Sequence, residues 1–221
     1  MIYKNKPYLC DMKTSKDYIA EDFTATIPVA DYMAHYRDAE KFIGFCRQCR
    51  RYNTCWACPP FAFDVDQYLS HYELALIIGT KITPSYPEKI TDTISYGNEL
   101  METERKRTDD LLLELEKTHN GRAFFPGSCL LCSSCTRAEG KPCLYPKRVR
   151  PSLEACGFDI GKTSSELLNR VEMGRAWENA GVSNTGQWNI LHSERACQSQ
   201  YCLLNISIIL ILNWQSNNCK F

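Results

Sequence analysis

At 221 residues the chain has the length of one domain, or of one domain with appendages. Its 26 basic and 26 acidic residues cancel, so total charge gives no reason to expect nucleic acid or an anionic membrane as a partner. Thirteen cysteines are many, and the N-terminus (MIYKNKPYLCDMKTSKD) has no apolar run of the secretory kind, so the expected setting is a reducing cytoplasm where clustered thiols are metal ligands or redox centres rather than disulfides.

Residues 1–30 are polar and mixed apart from an alternating apolar piece at Thr24 to Val29. Asp31 is placed to cap a helix through Tyr32, Met33, Tyr36 and Ala39 to Phe42, where apolar residues recur at helical spacing. The first cysteine cluster follows, FCRQCRRYNTCWACPPFAFD, with Cys46, Cys49, Cys55 and Cys58 in two Cys-x2-Cys steps. Five residues between the steps is short for a zinc ribbon, which separates its knuckles by a dozen or more. Trp56, Pro59, Pro60 and Phe61 form a rigid apolar surround, read either as a water-excluding shell or as ordinary core and turn residues. Arg47, Arg50 and Arg51 stand among the thiols, either offsetting their charge or simply solvated.

Asp64 is an N-cap for a short helix from Val65 to Tyr72, and the uninterrupted apolar run Leu74 to Gly79 reads as a central strand buried on both faces. Residues 83–98 read as a loop, Glu99 to Lys117 as a long helix with a solvated charged face at Glu102 to Asp110, and Asn120-Gly121 as its stop. Ala123 to Phe125 is a second short strand. It delivers the chain to FPGSCLLCSSCTRAEGKPCLYP, where Cys129, Cys132, Cys135 and Cys143 follow Cys-x2-Cys-x2-Cys-x7-Cys with Pro146 three residues on. Overlapping Cys-x2-Cys turns aim three thiolates at one centre, as in the ligand runs of cubane iron–sulfur clusters, although the last gap of a bacterial ferredoxin run is three residues rather than seven. The middle cysteine has no obvious use in a tetrahedral zinc site.

Ser152 then caps a short helix that Gly157 stops, and Thr163 to Glu166 offers a capping box for a helix through Leu167, Leu168 and Val171. Cys156, beside Ala155, reads as a buried free cysteine. The overall expectation is one α/β domain over residues 1–172, with a small mixed or parallel sheet, helices around it and two cysteine-rich loops gathered at one sheet edge.

Taken together, Cys46-x2-Cys49…Trp56-x-Cys58-Pro59-Pro60-Phe61 and Cys129-x2-Cys132-x2-Cys135…Cys143-x2-Pro146…Arg150-Pro151-Ser152-Leu153-Glu154-Ala155-x-Gly157 resemble an uncharacterised family of predicted metal-binding proteins, over roughly residues 25–170. The resemblance implies metal binding, iron–sulfur in kind, through Cys46, Cys49, Cys58, Cys129, Cys132, Cys135 and Cys143. Cys55 is not a dependable cysteine of that family, so its role as a ligand stays open. Residues 173–221 depart from the family's closing helix and strand and are expected to be a divergent tail, poorly packed if a frame change near 173 replaced the native end. Leu203 to Leu212 still reads as a strand, too short and too interrupted for a membrane span.

Three functions remain open at this point. The first is an iron–sulfur protein, expected to be of the 4Fe–4S type with one or two clusters, in redox or electron-transfer work with a partner protein. The second is a structural zinc module mediating protein interaction, and the third a thiol-based enzyme or metallochaperone. No phosphate loop, His-Glu-x-x-His, Gly-x-Ser-x-Gly or radical-SAM Cys-x3-Cys-x2-Cys spacing occurs, and His35, His71, His119 and His192 are scattered. No residue names a substrate.

Overall fold

The computed structural model describes residues 12–14, 17–168 and 203–211. Five strands make one sheet: β1 (Met12–Thr14), β2 (Tyr18–Pro28), β3 (Leu74–Pro84), β4 (Gly121–Phe124) and β5 (Leu203–Ile211), in the spatial order β1-β2-β3-β5-β4. Five α-helices accompany it: α1 (Val29–Tyr36), α2 (Ala39–Gln48), α3 (Val65–Leu69), α4 (Thr93–Thr118) and α5 (Ile160–Leu167). The α/β class is as expected. The strand pairings, however, are all antiparallel, where a mixed or parallel sheet was anticipated. An apolar run predicts burial on both faces but not the direction of its neighbours, and here those neighbours come from distant segments.

β3 is the middle strand, and its alternation divides the core. Ala75 and Ile77 pack on one side with Tyr32, Phe124, Leu153 and Phe158, while Leu76 and Ile78 pack on the other with Leu112 of α4, Ala123 and Phe125. α4 therefore covers one face, and α1, α3, α5, Phe61 and the segment from Leu153 to Phe158 cover the other. Asp64 caps α3 as expected, its carboxylate accepting from the Gln67 N–H at 2.8 Å. The sheet takes in Leu203–Ile211, which pairs with β3 from Leu74↔Ile211 to Ile82↔Leu203 and with β4 from Gly121↔Ile211 to Phe124↔Ile208. The rest of the expected divergent tail lies outside the described residues. No described helix is long and apolar enough to cross a membrane.

Three expectations about helices change. The helix expected from Asp31 to Phe42 is two helices, because Arg37 is extended (φ −122°, ψ 133°) and Asp38 caps α2 through the Lys41 N–H. The break lets Arg37 pair with Phe158, donate to the Cys156 carbonyl at 2.7 Å and meet Asp66 at 2.5 Å. α5 starts at Ile160, capped by Asp159, ahead of the predicted box at Thr163. The face from Glu102 to Asp110 is not simply solvated. Glu104 and Arg105 are buried, and Arg107 bridges the carboxylates of Glu104 and Asp22, with Thr80 and Tyr18 closing the network from β3 and β2.

Two contacts position the chain around the second cysteine loop. Gly157, at φ +94°, sits against α2 so closely that a Cβ there would lie 2.8 Å from the Ala39 Cα. Arg150 grips Glu116 of α4 with Nε and Nη2, at 2.7 and 2.5 Å, while the Ala123 N–H donates to the same carboxylate at 2.9 Å. Burial works to raise the Glu116 pKa, but these hydrogen bonds and the Arg150 and Arg122 charges outweigh it, so the carboxyl titrates below its ordinary range.

Gly157→Ala is expected to destabilise the fold by more than about 1 kcal/mol in urea unfolding, since both the space and the left-handed backbone exclude a methyl group. A depressed carboxyl contributes stability above its unfolded pKa and loses it as pH falls through the folded one. Glu116→Gln should therefore reduce stability at pH 7, with the gap from wild type narrowing as the pH is brought below about 4.

Candidate metal centre

The first loop grows out of the end of α2. Cys46 lies in its last turn and Cys49 caps it, with the Cys49 N–H donating to the Cys46 carbonyl at 3.0 Å, and the Arg51 N–H then donates to the Cys49 sulfur at 3.4 Å. Asn53, at φ 57°, turns the chain, and its N–H donates to the Pro59 carbonyl at 2.8 Å. The second step closes in the same way as the first, from the Cys58 N–H to the Cys55 carbonyl at 3.0 Å. Each Cys-x2-Cys is thus a tight turn, as its spacing implies.

The second loop leaves β4 through Gly127 and Ser128, whose carbonyl accepts from Arg105 of α4 at 2.6 Å. Cys135 opens a 3-10 turn over Thr136–Glu139 that Gly140 ends in the left-handed region, at φ 68°. The Lys141 N–H donates back to the Thr136 carbonyl at 3.0 Å, and the Thr136 hydroxyl donates to the Pro142 carbonyl at 2.7 Å. This reversal accounts for the seven-residue gap, because it folds Cys143 back beside the turn that carries Cys135. The Tyr145 N–H donates to the Cys143 sulfur at 3.4 Å.

A residue that sequence reasoning missed joins the two loops. Arg137 donates from Nη1 to the carbonyls of Cys55 (3.0 Å) and Cys58 (2.6 Å), and from Nη2 to the Pro60 carbonyl (2.5 Å) and Asn53 Oδ1 (3.3 Å). Its guanidinium lies 5.0 Å from the Trp56 ring centroid, and the Trp56 indole N–H donates to the Lys141 carbonyl at 3.3 Å. The carbonyls of a tight turn need donors from elsewhere, and an arginine in the other cysteine loop was the available signal. From a third side, the Ser152 N–H donates to the Ala57 carbonyl at 2.8 Å, and Phe125 bridges Ser152 in parallel. Ser152 does not cap the helix predicted after it. Its hydroxyl donates to Glu154 at 2.7 Å, and the segment is a 3-10 turn, Glu154–Cys156, stopped by Gly157 as expected.

The eight candidate thiols fall into two neighbourhoods that meet at Cys55. Cys46, Cys49 and Cys58 line one cavity of about 60 Å³, with Arg51, Ser128 and Glu154 in its wall. Cys132 lies within electrostatic reach of Cys135, Cys143 and Cys55, and Cys129 within reach of Cys132 and Cys55. Cys55 itself is 1 % exposed. Among the described residues, no three Cys, His, Asp or Glu side chains stand in a metal-holding arrangement. The donor set suits a soft, thiophilic metal or cluster: the sulfurs are free thiols, and backbone N–H groups donate to those of Cys49, Cys55 and Cys143.

Burial drives most of the shifted thiols toward the protonated form. Burial pushes Cys46 up to about 11, with the charges of Cys49 and Glu154 adding to it. Burial likewise pushes Cys129 up to about 11 against the N–H of Leu131, and it raises Cys132. Cys55 and Cys58 are a tight pair in which the Cys58 thiol donates to Cys55. Cys55 is lowered by that bond, with help from the N–H groups of Cys129 and Ala57, and Cys58 is raised. Cys156 is buried, as expected, and its pKa is raised by burial. Neither it nor His35, His71 or His119 lines the cavity. His192, Cys197, Cys202 and Cys219 lie outside the described residues.

Arg137→Ala is expected to cost about 1–3 kcal/mol in chemical denaturation, since it strips donors from the knuckle carbonyls. Arg137→Lys should recover less than half of that loss, because an ammonium cannot reproduce the planar fork.

No curated protein and no solved structure matches the chain at a significant level. Residues 33–185, well over half of its length, match the family described as Predicted metal-binding protein (DUF2284), and that span contains both cysteine loops. The chain belongs to this family of predicted metal-binding proteins.

Proposed function

We propose that the protein is an iron–sulfur protein of the 4Fe–4S kind that works in electron transfer, in the cytoplasm and with a redox partner protein. The observation that carries this reading is the fold of the second loop. Cys129, Cys132 and Cys135 follow one another three residues apart, and the 3-10 reversal at Thr136–Gly140 turns the chain back so that Cys143, like Cys135, lies within electrostatic reach of Cys132. A mononuclear zinc site uses four donors on separate knuckles and gains nothing from three cysteines in seven residues.

In this reading Cys129, Cys132, Cys135 and Cys143 hold one cluster, and Cys46, Cys49 and Cys58 belong to a second site. A bound cluster would supply a one-electron couple. The chain's own part is to set the environment of the sulfurs. The N–H groups of Arg51 and Tyr145 donate to Cys49 and Cys143, which favours charge on those sulfurs, and Arg137 fixes the spacing between the loops. Phe42, Phe45 and Pro59 wall the cavity beside the first loop and limit water there.

The test is anaerobic purification with iron, sulfide and zinc measured on one sample beside its visible spectrum. The expected result is a brown protein absorbing broadly near ~400 nm with about four or about eight irons. Cys135→Ser should remove about four of them. A colourless protein carrying zinc would replace the electron-transfer reading with a structural zinc module, and iron unchanged in Cys135→Ser would refute the ligand set of the second loop.

A further inference from the structure

The last stretch of the second loop shows apolar side chains to solvent. Leu144 is 64 % exposed, the most of any large apolar residue described, and Tyr145 is 45 % exposed. Trp56 of the first loop, 36 % exposed, reaches the same stretch through its indole N–H, which donates to the Lys141 carbonyl. Single exposed apolar residues are ordinary on a protein surface, but three gathered at one loop make a patch. The loop is also held in place. Pro142 and Pro146 bracket it, the Pro142 carbonyl accepts from the Thr136 hydroxyl, and the Tyr145 carbonyl accepts from the N–H groups of Arg148 and Val149 at 3.0 and 2.9 Å. A fixed backbone therefore presents Leu144 and Tyr145, and a partner that covers them has little ordering cost to overcome.

The surround is basic. The whole chain has equal numbers of acidic and basic residues, yet residues 136–150 hold Arg137, Lys141, Lys147, Arg148 and Arg150 against Glu139 alone. Lys141, Lys147 and Arg148 are exposed, and among the described residues the Lys147 ammonium has no hydrogen-bond or ion-pair partner. Lys141 and Arg148 pair with Glu139 at 2.6 Å and Asp110 at 2.5 Å, but both pairs lie in water, where such contacts are weak and yield to a partner's carboxylates. Glu139 and Asp110 also decide between kinds of partner. A nucleic acid or an anionic membrane would meet them with its own negative charge, whereas a protein face carries both signs and can match cation and carboxylate in turn. Tyrosine and tryptophan anchors inside a polar rim are the usual composition of a protein contact.

We propose that Leu144, Tyr145 and Trp56, rimmed by Lys141, Lys147 and Arg148, are the docking surface for a protein whose matching face is acidic around an apolar centre. That the partner is an electron carrier rests on the electron-transfer reading; the surface itself does not. The Tyr145 N–H donates to the Cys143 sulfur at 3.4 Å, so a protein seated here lies against a cysteine of the second loop.

The test is calorimetric titration of the full chain, purified anaerobically, with oxidised flavodoxin, an acidic electron carrier, at low and at high salt. Binding is expected at low salt and should weaken at high salt as the rim is screened. Leu144→Ser, Tyr145→Ala and Lys147→Glu should each weaken it about tenfold with the urea midpoint unchanged. Lys89→Glu, the same charge change at an exposed lysine ahead of α4, should stay within about twofold of wild type. No binding, or binding equally tight in all three patch variants, overturns the proposal. Should Tyr145→Ala fail to fold, the other two decide. Polyuridine, and vesicles of equal parts phosphatidylcholine and phosphatidylserine, are titrated beside flavodoxin. Tighter binding of either, weakened by Lys147→Glu, would put a nucleic acid or a membrane in the protein's place and overturn the proposal as well. Iron and sulfide counted on the same sample keep the two readings apart. An iron-free chain that binds flavodoxin through this surface refutes the iron–sulfur reading and supports the docking surface, whereas an iron-loaded chain that does not bind refutes the docking surface alone.

Discussion

A cysteine loop has no ladder of its own, so every carbonyl and N–H in it must find a partner in another segment or face water. That constraint governs the architecture here. The knuckle from Cys55 to Cys58 is satisfied from two directions, by Arg137 of the second loop and by the Ser152 N–H of the segment after it. The second loop in turn is held by Arg105 of α4 at Ser128, and its outgoing segment by the Arg150–Glu116 pair. Neither loop is positioned independently. Cys55 and Cys129, more than 70 residues apart in sequence, lie within electrostatic reach of each other where Arg137 carries the main-chain hydrogen bonding of one loop into the other.

The sheet supplies the platform for this arrangement. β3 and β4 run antiparallel to β5 on either side of it, and β4 opens directly into Phe125, whose bridge to Ser152 carries order into the region between the loops. Burial and electrostatics act on the thiols in opposite directions. The low-polarity surround raises Cys46 and Cys129, while amide N–H groups and the Arg51 charge favour negative sulfur at Cys55. A metal bound by such thiols would have to displace their protons, and its uptake would then depend on pH.

What could be read from the sequence was local. The Leu74–Gly79 strand, the Asp64 cap, the tight Cys-x2-Cys turns of the first loop, the stop at Gly157 and the burial of Cys156 all follow from neighbours within a few positions, and all are seen. What could not be read depended on distant partners. α1 and α2 separate because Arg37 is drawn to Phe158, Cys156 and Asp66. The charged stretch of α4 is buried because Asp22 waits on β2, 85 residues from Arg107. Arg137 looked like any loop arginine, since the carbonyls it serves lie about 80 positions earlier. The same limit explains the antiparallel sheet, in which β3 pairs with Leu203–Ile211 from more than 100 residues away.

The strand order also bears on how the fold is reached. β3 and β4 are not neighbours of each other, because β5 lies between them. While the chain is being synthesised, β3 has β2 beside it, but its other edge and the whole of β4 stay unpaired until residues 203–211 leave the ribosome. The cysteine loops, which hang from β4 and the segments around it, are complete in sequence well before their platform is. Folding therefore closes on a pairing of long sequence separation, which is slow, and for that interval the nascent chain carries an open apolar edge and a full set of unligated thiols.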